Sequence, residues 1–310
     1  MTVFTALGAH IVDVLGRPVS SIPPGQGGAL LTEIRITAAG AAGGTAVDLA
    51  RLGATVRSVG AIAGDALGVF LRLQLEDAGV DTSRLAVLAG AQTSATILPI
   101  RANGERPSLH VPGVTSLLTA EDVPPSALEG TDFLHVGGPD VLGAFAVDVL
   151  PGLLQTARAA GTVVSTDLLA SAQGGALERL TGVLAQTDHL LINSDQGALL
   201  TGLDDVGEAA RALRAYVPGV VVLTTGADGG VLVDDDGTHV FPALPVDVVD
   251  TTGCGDGFSA GYLYALSLGH PPRQACRLGV ACASMVAGTL GSDGVRGLDA
   301  ALALVGEPAG

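Results

Sequence analysis

Apolar residues occur along this chain in short runs separated by segments with helical spacing, a pattern typical of alternating strands and helices. We interpret six of the runs as buried strands. They are Val3 to Gly8, Val56 to Ile62, Phe133 to Val136, Thr162 to Asp167, His189 to Ile192 and Val220 to Thr224. From Asp132 onward strand and helix follow each other regularly, which predicts a parallel sheet with helices on its faces.

A second pattern interrupts this alternation in two places. Pro18 to Gly28 is rich in Pro, Gly and Ser, and Leu30 to Thr37 then alternates apolar and polar residues as a strand does. Further on, Thr93 to Arg101 and Ser108 to Val111 flank Asn103-Gly104, a strong signal for a hairpin turn. We therefore expect additional strands that do not belong to the parallel sheet.

The most informative stretch is Asp250 to Phe258, which reads Asp-Thr-Thr-Gly-Cys-Gly-Asp-Gly-Phe. A segment with helical spacing follows it, so its glycines stand at a helix start and leave backbone N–H groups open to an anion. Asp256 would repel a phosphate there unless it takes a proton from the group that attacks the phosphate. The alternative interpretation is that Asp256 only caps the helix. A Gly-x-Gly-x-x-Gly dinucleotide motif fails because Phe258 stands at its sixth position.

The charge composition excludes several classes of protein. The 310 residues carry a formal net charge of −16, and all fifteen basic residues are Arg, with no Lys anywhere. Walker A loops, protein kinases and Schiff-base enzymes each need a Lys, so none of these mechanisms can operate. The acidic balance also argues against nucleic-acid binding. Any phosphate chemistry must therefore depend on backbone N–H groups, a metal ion and Arg.

Composition also predicts where the protein resides. Hydrophobic residues make up 48% of the chain, but the longest uncharged runs, such as Gly257 to Pro272, are shorter than a membrane span. No basic region precedes the first apolar residues, so we expect no signal peptide. The three cysteines, Cys254, Cys276 and Cys282, are too few and too odd in number for a disulfide scaffold. We expect a soluble, cytoplasmic protein that does not associate with membranes.

The Asp-Thr-x-Gly-Cys-Gly-Asp sequence, about fifty residues before the last residue, resembles the C-terminal signature of the ribokinase-like (PfkB) carbohydrate kinases. Cys254 stands where these proteins usually have Ala. The resemblance extends over nearly the whole chain. It implies a single domain over residues 1–310 with a three-layer α/β ribokinase-like fold: a mostly parallel central sheet, helices on both faces, and a small β lid formed from about residues 14–38 and 94–112.

Two N-terminal regions fit the resemblance. Asp13 follows the first strand, where a solvated loop carboxylate would be the commoner case, but the resemblance implies that it binds the substrate. The glycine-rich helix start around Gly40 is similar to the N-terminal signature of the family, although it could equally serve helix packing. Gly44 stands where relatives usually have a substrate-contacting Asn. We therefore expect an altered acceptor contact and poor use of ribose.

The resemblance also implies an ATP site in the C-terminal half. Thr224, Gly226 and Gly229 fit the nucleotide-binding Thr-x-Gly-x-x-Gly of the family, although an ordinary hairpin with an Asp-Gly turn explains the same residues. Ala283 belongs to a helix rich in small residues. That helix would line the adenine pocket, or pack closely against a neighbour, or both.

Metal handling is where the chain departs from the family pattern. Asn193 begins the segment that corresponds to the usual Asn-x-x-Glu, a motif tied to magnesium and phosphate, but Gln196 replaces the Glu. The resemblance implies Mg²⁺ bound with ATP. Because Gln196 cannot carry charge, either Asp195 or solvent compensates for the missing carboxylate, or metal handling is altered. We assign no metal ligands, although the loop near Asp250, Thr252 and Gly291 could hold a monovalent cation such as K⁺.

The reaction implied is the ATP-dependent phosphorylation of a hydroxymethyl group on a sugar or sugar acid. The backbone N–H groups of Gly253, Cys254 and Gly255 would hold the transferring phosphate, and Asp256 would take the proton of the acceptor. Two alternatives stay open: a nucleoside kinase of the same fold, or a non-catalytic sugar-binding protein.

The lid segments predict a contact with a second copy of the chain and a contact with the substrate. Because the lid strands alternate apolar and polar residues, one face needs cover, which predicts a homodimer through residues 14–38 and 94–112. Arg101 and Arg106, at the predicted hairpin, could reach a charged substrate or simply be solvated.

Overall fold

The computed structural model describes residues 1–102, 105–169, 175–291 and 294–306. The strands in this part of the chain are β1 Val3–Gly8, β2 Ile11–Arg17, β3 Glu33–Ala39, β4 Thr55–Ala63, β5 Asp81–Leu88, β6 Ala95–Pro99, β7 Leu109–Val111, β8 Phe133–Gly137, β9 Val163–Asp167, β10 His189–Asn193, β11 Val220–Thr224, β12 Gly230–Asp234 and β13 Gly237–Phe241. The helices are α1 Ala41–Arg51, α2 Ala66–Asp77, α3 Ala144–Asp148, α4 Leu150–Ala159, α5 Ala176–Leu184, α6 Ser194–Thr201, α7 Val206–Leu213, α8 Cys254–Ser267, α9 Pro272–Ala287 and α10 Leu298–Val305.

The main sheet has the strand order β13-β12-β11-β10-β9-β8-β1-β4-β5. The seven strands from β11 to β5 in this order are all parallel to their neighbours, and β12 and β13 add an antiparallel edge. All six strands predicted from apolar runs belong to this sheet. The order reverses at β1, which has β4 on one side and β8 on the other, and such reversal points are where open α/β sheets bind ligands.

Helices cover both faces of the main sheet because its strands are apolar on both sides. In β1, Phe4 and Ala6 join a core cluster that includes Tyr262 of α8, whereas Leu7 joins a second cluster with Phe145 of α3. Tyr262 is fully buried. The predicted three-layer α/β arrangement with a mostly parallel sheet is thus confirmed.

A second, four-stranded sheet has the order β3-β2-β6-β7, and we call it the small sheet. Its strands come from the two stretches predicted to form a lid, but its first strand begins earlier, at Ile11. Asp13 therefore lies inside a strand, not at the end of one as its sequence neighbours suggested. The Asn103-Gly104 turn lies outside the described residues.

None of the helices in the described part of the chain is long and apolar enough to cross a membrane. All three cysteines are free, as expected for a chain without a disulfide scaffold.

Candidate active site

The Asp250 to Phe258 stretch forms a tight turn into α8. Gly253 is the N-cap residue, and its backbone angles, φ 78° and ψ 0°, lie in the left-handed region that Gly adopts without the steric cost of a Cβ. Asp256 is the third residue of the helix, so its side chain is not the N-cap. The alternative interpretation of Asp256 as a capping residue is therefore wrong.

The turn leaves backbone donors unused. Cys254 donates its N–H to the Thr251 carbonyl at 3.3 Å, whereas the N–H groups of Gly253 and Gly255 have no hydrogen-bond acceptor among the described residues. A side chain added at Gly255 would point into open space. The expectation of three free N–H groups is thus met at the two glycines, and at Cys254 the N–H already has a weak partner. This helix start can receive an anion.

Carboxylates surround Asp256. Burial, followed by the negative charges of Asp167, Asp48 and Asp13, raises the pKa of Asp256 well above its ordinary value, and the charge of Arg106 opposes this rise. A carboxylate with a raised pKa is a stronger base than a solvated one. The ionised form of such a group is suited to proton abstraction.

Gly44 of α1 packs against the side chain of Asp256 in α8. A Cβ built on Gly44 would be 2.8 Å from Cγ of Asp256, a distance that real Cβ atoms essentially never show, and 3.1 Å from its Cβ, which is unusually tight. Gly44 does not line the cavity beside Asp256, whereas Gly40, the N-cap residue of α1, does. The structure therefore places Gly44 in contact with Asp256 and away from the cavity in which we expected it to alter a substrate contact.

Asp13 belongs to a row of polar residues across the small sheet. Its register partners are Thr37 in β3 and Thr96 in β6, and Thr96 pairs in turn with His110 in β7. The Thr96 side chain hydrogen-bonds Asp13, and its Oγ1 lies 3.1 Å from Nδ1 of His110. Sequence analysis missed the two threonines, because only the strand register brings them beside Asp13.

This row is almost completely shielded from solvent around Asp13. Asp13 and Thr37 are 7% and 4% exposed, and the Thr37 hydroxyl has no hydrogen-bond partner among the described residues. Burial raises the pKa of Asp13 to about 6, against the opposing effects of Thr96 and Arg106. A buried carboxylate and an unpaired hydroxyl on one sheet face are suited to binding a hydroxyl-bearing molecule.

Two adjoining cavities lie at the carboxyl edge of the main sheet. The first, which we call the polar cavity, has a volume of about 190 Å³. This volume is below the roughly 300–1,000 Å³ typical of pockets for drug-sized ligands. From the start of α8, Gly253, Gly255 and Asp256 line the polar cavity, whereas Cys254 does not. The residues that line it include Asp13, Gly40, Arg106, Asp167, Asn193, Gln196, Gly253, Gly255 and Asp256.

The second, which we call the apolar cavity, has a volume of about 530 Å³ and mostly apolar walls. Gly226 and Gly229 line it from the β11–β12 hairpin, and Ala283 lines it from α9, as the resemblance implied for an adenine site. Cys254 lines this cavity as well. Four residues line both cavities, and they therefore mark the junction between them: Thr224, Thr251, Gly255 and Phe258.

Asn193 and Gln196 form a reciprocal capping box at the start of α6. The side-chain Oε1 of Gln196 accepts a hydrogen bond from the Asn193 N–H at 3.0 Å. In return, the backbone N–H of Gln196 donates to Oδ1 of Asn193 at 2.9 Å. Its Nε2 donates to the Leu168 carbonyl at 2.8 Å. A Glu in this rotamer could not make that last bond when ionised. Gln at this position thus has a structural explanation.

Asp167, at the carboxyl end of β9, is a site residue to which sequence analysis gave no role. It lines the polar cavity, and its Oδ2 lies 3.4 Å from Nε2 of the buried His135. Burial raises the pKa of Asp167, and the nearby His135 acts in the opposite direction. Its position at the carboxyl end of a predicted strand, where open α/β sheets bind ligands, could have identified it from the sequence.

The loop that could hold a monovalent cation is organised around Asp250. Its Oδ1 accepts from the N–H and the hydroxyl of Thr252 at 3.0 and 2.9 Å, and its Oδ2 accepts from the N–H of Gly291 at 3.0 Å. Over the residues that the structure describes, no group of three or more His, Cys, Asp or Glu side chains is arranged to hold a metal ion.

Fold and site together define the class of protein, an α/β phosphotransferase. The family model described as "pfkB family carbohydrate kinase" matches residues 2–295, so the chain belongs to the pfkB family of carbohydrate kinases. This confirms the predicted family and the predicted enzyme class, an ATP-dependent kinase.

Individual proteins show the same relationship. The chain is 32% identical to the aminoimidazole riboside kinase of Salmonella typhimurium over 235 residues, which cover 74% of this chain and 73% of that protein. It is 29% identical to the ATP-dependent ribose-1-phosphate kinase of Halopiger xanaduensis over 293 residues, or 93% of each chain. Among solved structures, the ribokinase of Thermotoga maritima superposes with a TM-score of 0.81 at 22% identity, covering 99% of this chain and 100% of that one.

Proposed function

We propose that this protein transfers the terminal phosphoryl group of ATP to a hydroxymethyl group of a sugar or sugar acid. The observation that carries the proposal is the junction of the two cavities. Gly255, whose N–H has no acceptor among the described residues, lines both cavities, and Asp256 lines the polar one.

The apolar cavity suits the nucleotide. Apolar walls accommodate a base and, together with Thr224 at the junction, direct the phosphates towards the start of α8. Bound Mg²⁺ would offset the charge on the phosphates of ATP. Since the chain has no Lys, the N–H groups of Gly253 and Gly255 and the positive end of the helix dipole contribute further stabilisation.

The polar cavity suits the acceptor. Asp13, with its raised pKa and its bond to Thr96, would accept hydrogen bonds from acceptor hydroxyls, and Thr37 beside it has an unpaired hydroxyl. The small volume favours a monosaccharide-sized molecule. The acceptor's own hydroxymethyl group would then point towards Asp256.

Asp256 acts as the general base in this proposal. The acceptor oxygen forms a bond to the terminal phosphorus while the bond from that phosphorus to the bridging oxygen breaks. The proton of the acceptor moves to the Asp256 carboxylate, and ADP leaves. The N–H groups of the turn stabilise the negative charge on the transferring group.

The test is a panel of sugars, sugar acids and nucleosides with ATP, in which ADP release is measured by a coupled assay and the product is identified by mass spectrometry. We expect acceptor-dependent ADP release with at least one sugar or sugar acid. Binding of sugars without any phosphorylated product would instead favour a non-catalytic sugar-binding protein.

A second candidate acceptor class is a riboside. It is favoured by the 32% identity to an aminoimidazole riboside kinase. The same panel separates the two classes, since a nucleoside kinase would be saturated by nucleosides at lower concentrations than by free sugars.

We further propose that the protein forms a homodimer through the outer face of the small sheet. In register across the four strands, Ile36, Val14, Ile97 and Leu109 form an apolar row on the face opposite Asp13. Three of them are 47–59% exposed. A contiguous exposed apolar row on a sheet is the kind of surface that a second copy covers.

We also propose that a monovalent cation such as K⁺ binds near Asp250, Thr252 and Gly291. The support is indirect: Asp250 accepts hydrogen bonds from Thr252 within the loop that leads into α8 and from Gly291 in a second loop that follows α9. Turnover compared in matched potassium and tetramethylammonium buffers tests this proposal.

A further inference from the structure

Arg106 lines the polar cavity and contacts the loop that leads into α8. It lies in the connection between β6 and β7 of the small sheet, and its Nε donates to the Thr251 hydroxyl at 3.1 Å, although the two residues are 145 positions apart. Thr251 belongs to the loop that leads into α8 and lines both cavities. The Arg106 guanidinium is therefore held at their junction.

The surroundings make this charge distinctive. Among the described residues that line the polar cavity, Arg106 is the single basic one, while Asp13, Asp167 and Asp256 are carboxylates. Arg106 lowers the pKa of Asp13, Asp256 and Cys254. Its positive charge therefore acts on the acceptor side, the base and the anion-binding turn at once. The chain also contains no Lys that could take this place.

We propose that Arg106 is a further catalytic residue, whose guanidinium binds oxygens of the terminal phosphoryl group of the nucleotide as that group moves from the junction to the acceptor. This inference rests on the proposed function and deepens it, because it identifies the positive charge that the lysine-free turn lacks.

The donor inventory of Arg supports this role. A guanidinium has five N–H donors, and the contact to Thr251 uses the single one on Nε. The four on Nη1 and Nη2 remain in a planar fork that matches two phosphate oxygens. Thr251 thus fixes the orientation of the side chain without using its phosphate-binding edge.

Arg106 would also keep Asp256 active. Three carboxylates favour the protonated form of Asp256, and a protonated carboxyl cannot accept the proton of the acceptor. The charge of Arg106 acts in the opposite direction. Arg106 lies on the connection between two strands of the small sheet, whereas Asp256 lies on α8, so the complete site requires the small sheet and α8 in contact.

Arg101 provides a matched control. It lies on the same connection but pairs with Glu105 at 3.2 Å, and it does not line either cavity. Replacing it removes one Arg from the same segment and changes the net charge equally.

The experiment compares Arg106→Gln and Arg101→Gln with the unmodified protein in two measurements. Calorimetric titration gives the affinities for ADP and for the non-hydrolysable analogue AMP-PNP. We expect Arg106→Gln to weaken AMP-PNP about tenfold while ADP is unchanged. The coupled assay should show turnover reduced about 10²–10³-fold. Arg101→Gln should match the unmodified protein in both.

Two results would overturn the inference. One is an unchanged ratio of AMP-PNP to ADP affinity in Arg106→Gln. The other is a normal turnover with weaker binding only of a phosphorylated acceptor, such as ribose 1-phosphate, which would make Arg106 an acceptor ligand. The titration needs no turnover, so it decides the role of Arg106 even if no acceptor in the panel is phosphorylated, a result that would count against the proposed function alone.

Discussion

Gly44 of α1 and Asp256 of α8 are in such close contact that the absence of a side chain at one position allows the observed position of the carboxylate at the other. The two residues are far apart in the sequence and belong to different helices. The contact couples the packing of α1 against α8 to the position of the proposed base.

This contact predicts the effect of Gly44→Ala. The new Cβ would displace the Asp256 carboxylate, and a misplacement of about 1 Å at a reacting group can reduce turnover about 10²-fold. Gly43→Ala is the control, because its Cβ would meet nothing closer than 3.4 Å and it makes the same change within the same helix. Steady-state kinetics of both variants check the prediction, and equal turnover would show that Asp256 adjusts without cost.

Asp256→Asn tests the base directly. Asn has a similar shape but cannot take the proton, so we expect turnover to fall about 10²–10⁴-fold while ATP binding changes little. Thermal stability should be unchanged or higher, because the substitution removes a buried carboxylate that three neighbouring carboxylates destabilise. Full turnover in this variant would remove Asp256 as the base.

Asp13 predicts a pH dependence of acceptor binding. Its pKa is raised from 3.8 to about 6, so the ionised form that accepts hydrogen bonds becomes dominant only as the pH rises through about 6. We expect the KM for the acceptor to fall about tenfold between pH 5 and pH 7 and then to level off. In Asp13→Asn this dependence should disappear.

The same shift has the opposite effect on stability. Because the folded protein favours the protonated carboxyl, the contribution of Asp13 to the free energy of unfolding is fully present below about pH 4 and is lost as the pH rises through about 6. Asp13→Asn should therefore be more stable than the unmodified protein at pH 8 and similar at pH 4. Denaturant titrations at the two pH values check this, and a difference that grows as the pH falls would contradict it.

Gln196→Glu should destabilise the fold at alkaline pH. The new carboxylate would face the Leu168 carbonyl, which loses its donor, at a cost of about 1–3 kcal/mol in the free energy of unfolding at pH 8. The loss should diminish near pH 5, where a protonated Glu can donate. Ser194→Glu adds the same charge at the start of the same helix without facing that carbonyl and should not show the effect.

Ile97→Glu tests the proposed dimer. It places a charge in the apolar row of the small sheet, and we expect a monomeric mass by light scattering where the unmodified protein is dimeric. Leu73→Glu is the control, since Leu73 is similarly exposed but lies on α2. A monomeric unmodified protein at micromolar concentration would refute the proposal.

The main sheet and the α8 turn could be predicted from the sequence because their signals are local. A strand such as Val220 to Thr224 is a continuous apolar run, and the helix start at Gly253 has glycines at fixed offsets. Thr224, Gly226, Gly229 and Ala283 were predicted from motif positions and do line the apolar cavity.

The rest of the site depends on contacts that no local pattern contains. Thr37 and Thr96 lie beside Asp13 through the register of strands that are distant in the sequence. Asp13 looked like a residue after a strand because β2 follows β1 with only two residues between them. Gly44 packs against the Asp256 side chain, and Gln196 donates to the Leu168 carbonyl. The family pattern does not contain these contacts, so it showed only that the usual Asn and Glu are absent.

The placement of Asp13, Thr37 and Thr96 on the small sheet, with Gly253, Gly255 and Asp256 on the main-sheet side, has a consequence for protein engineering. In the proposed mechanism the acceptor ligands lie on β2, β3 and β6, whereas the phosphate-binding turn and the base lie at the start of α8, so the two sets of residues can be exchanged separately. Transplanting β2, β3 and β6 from another member of the family would redirect the enzyme to a new acceptor while retaining the host's own catalytic turn.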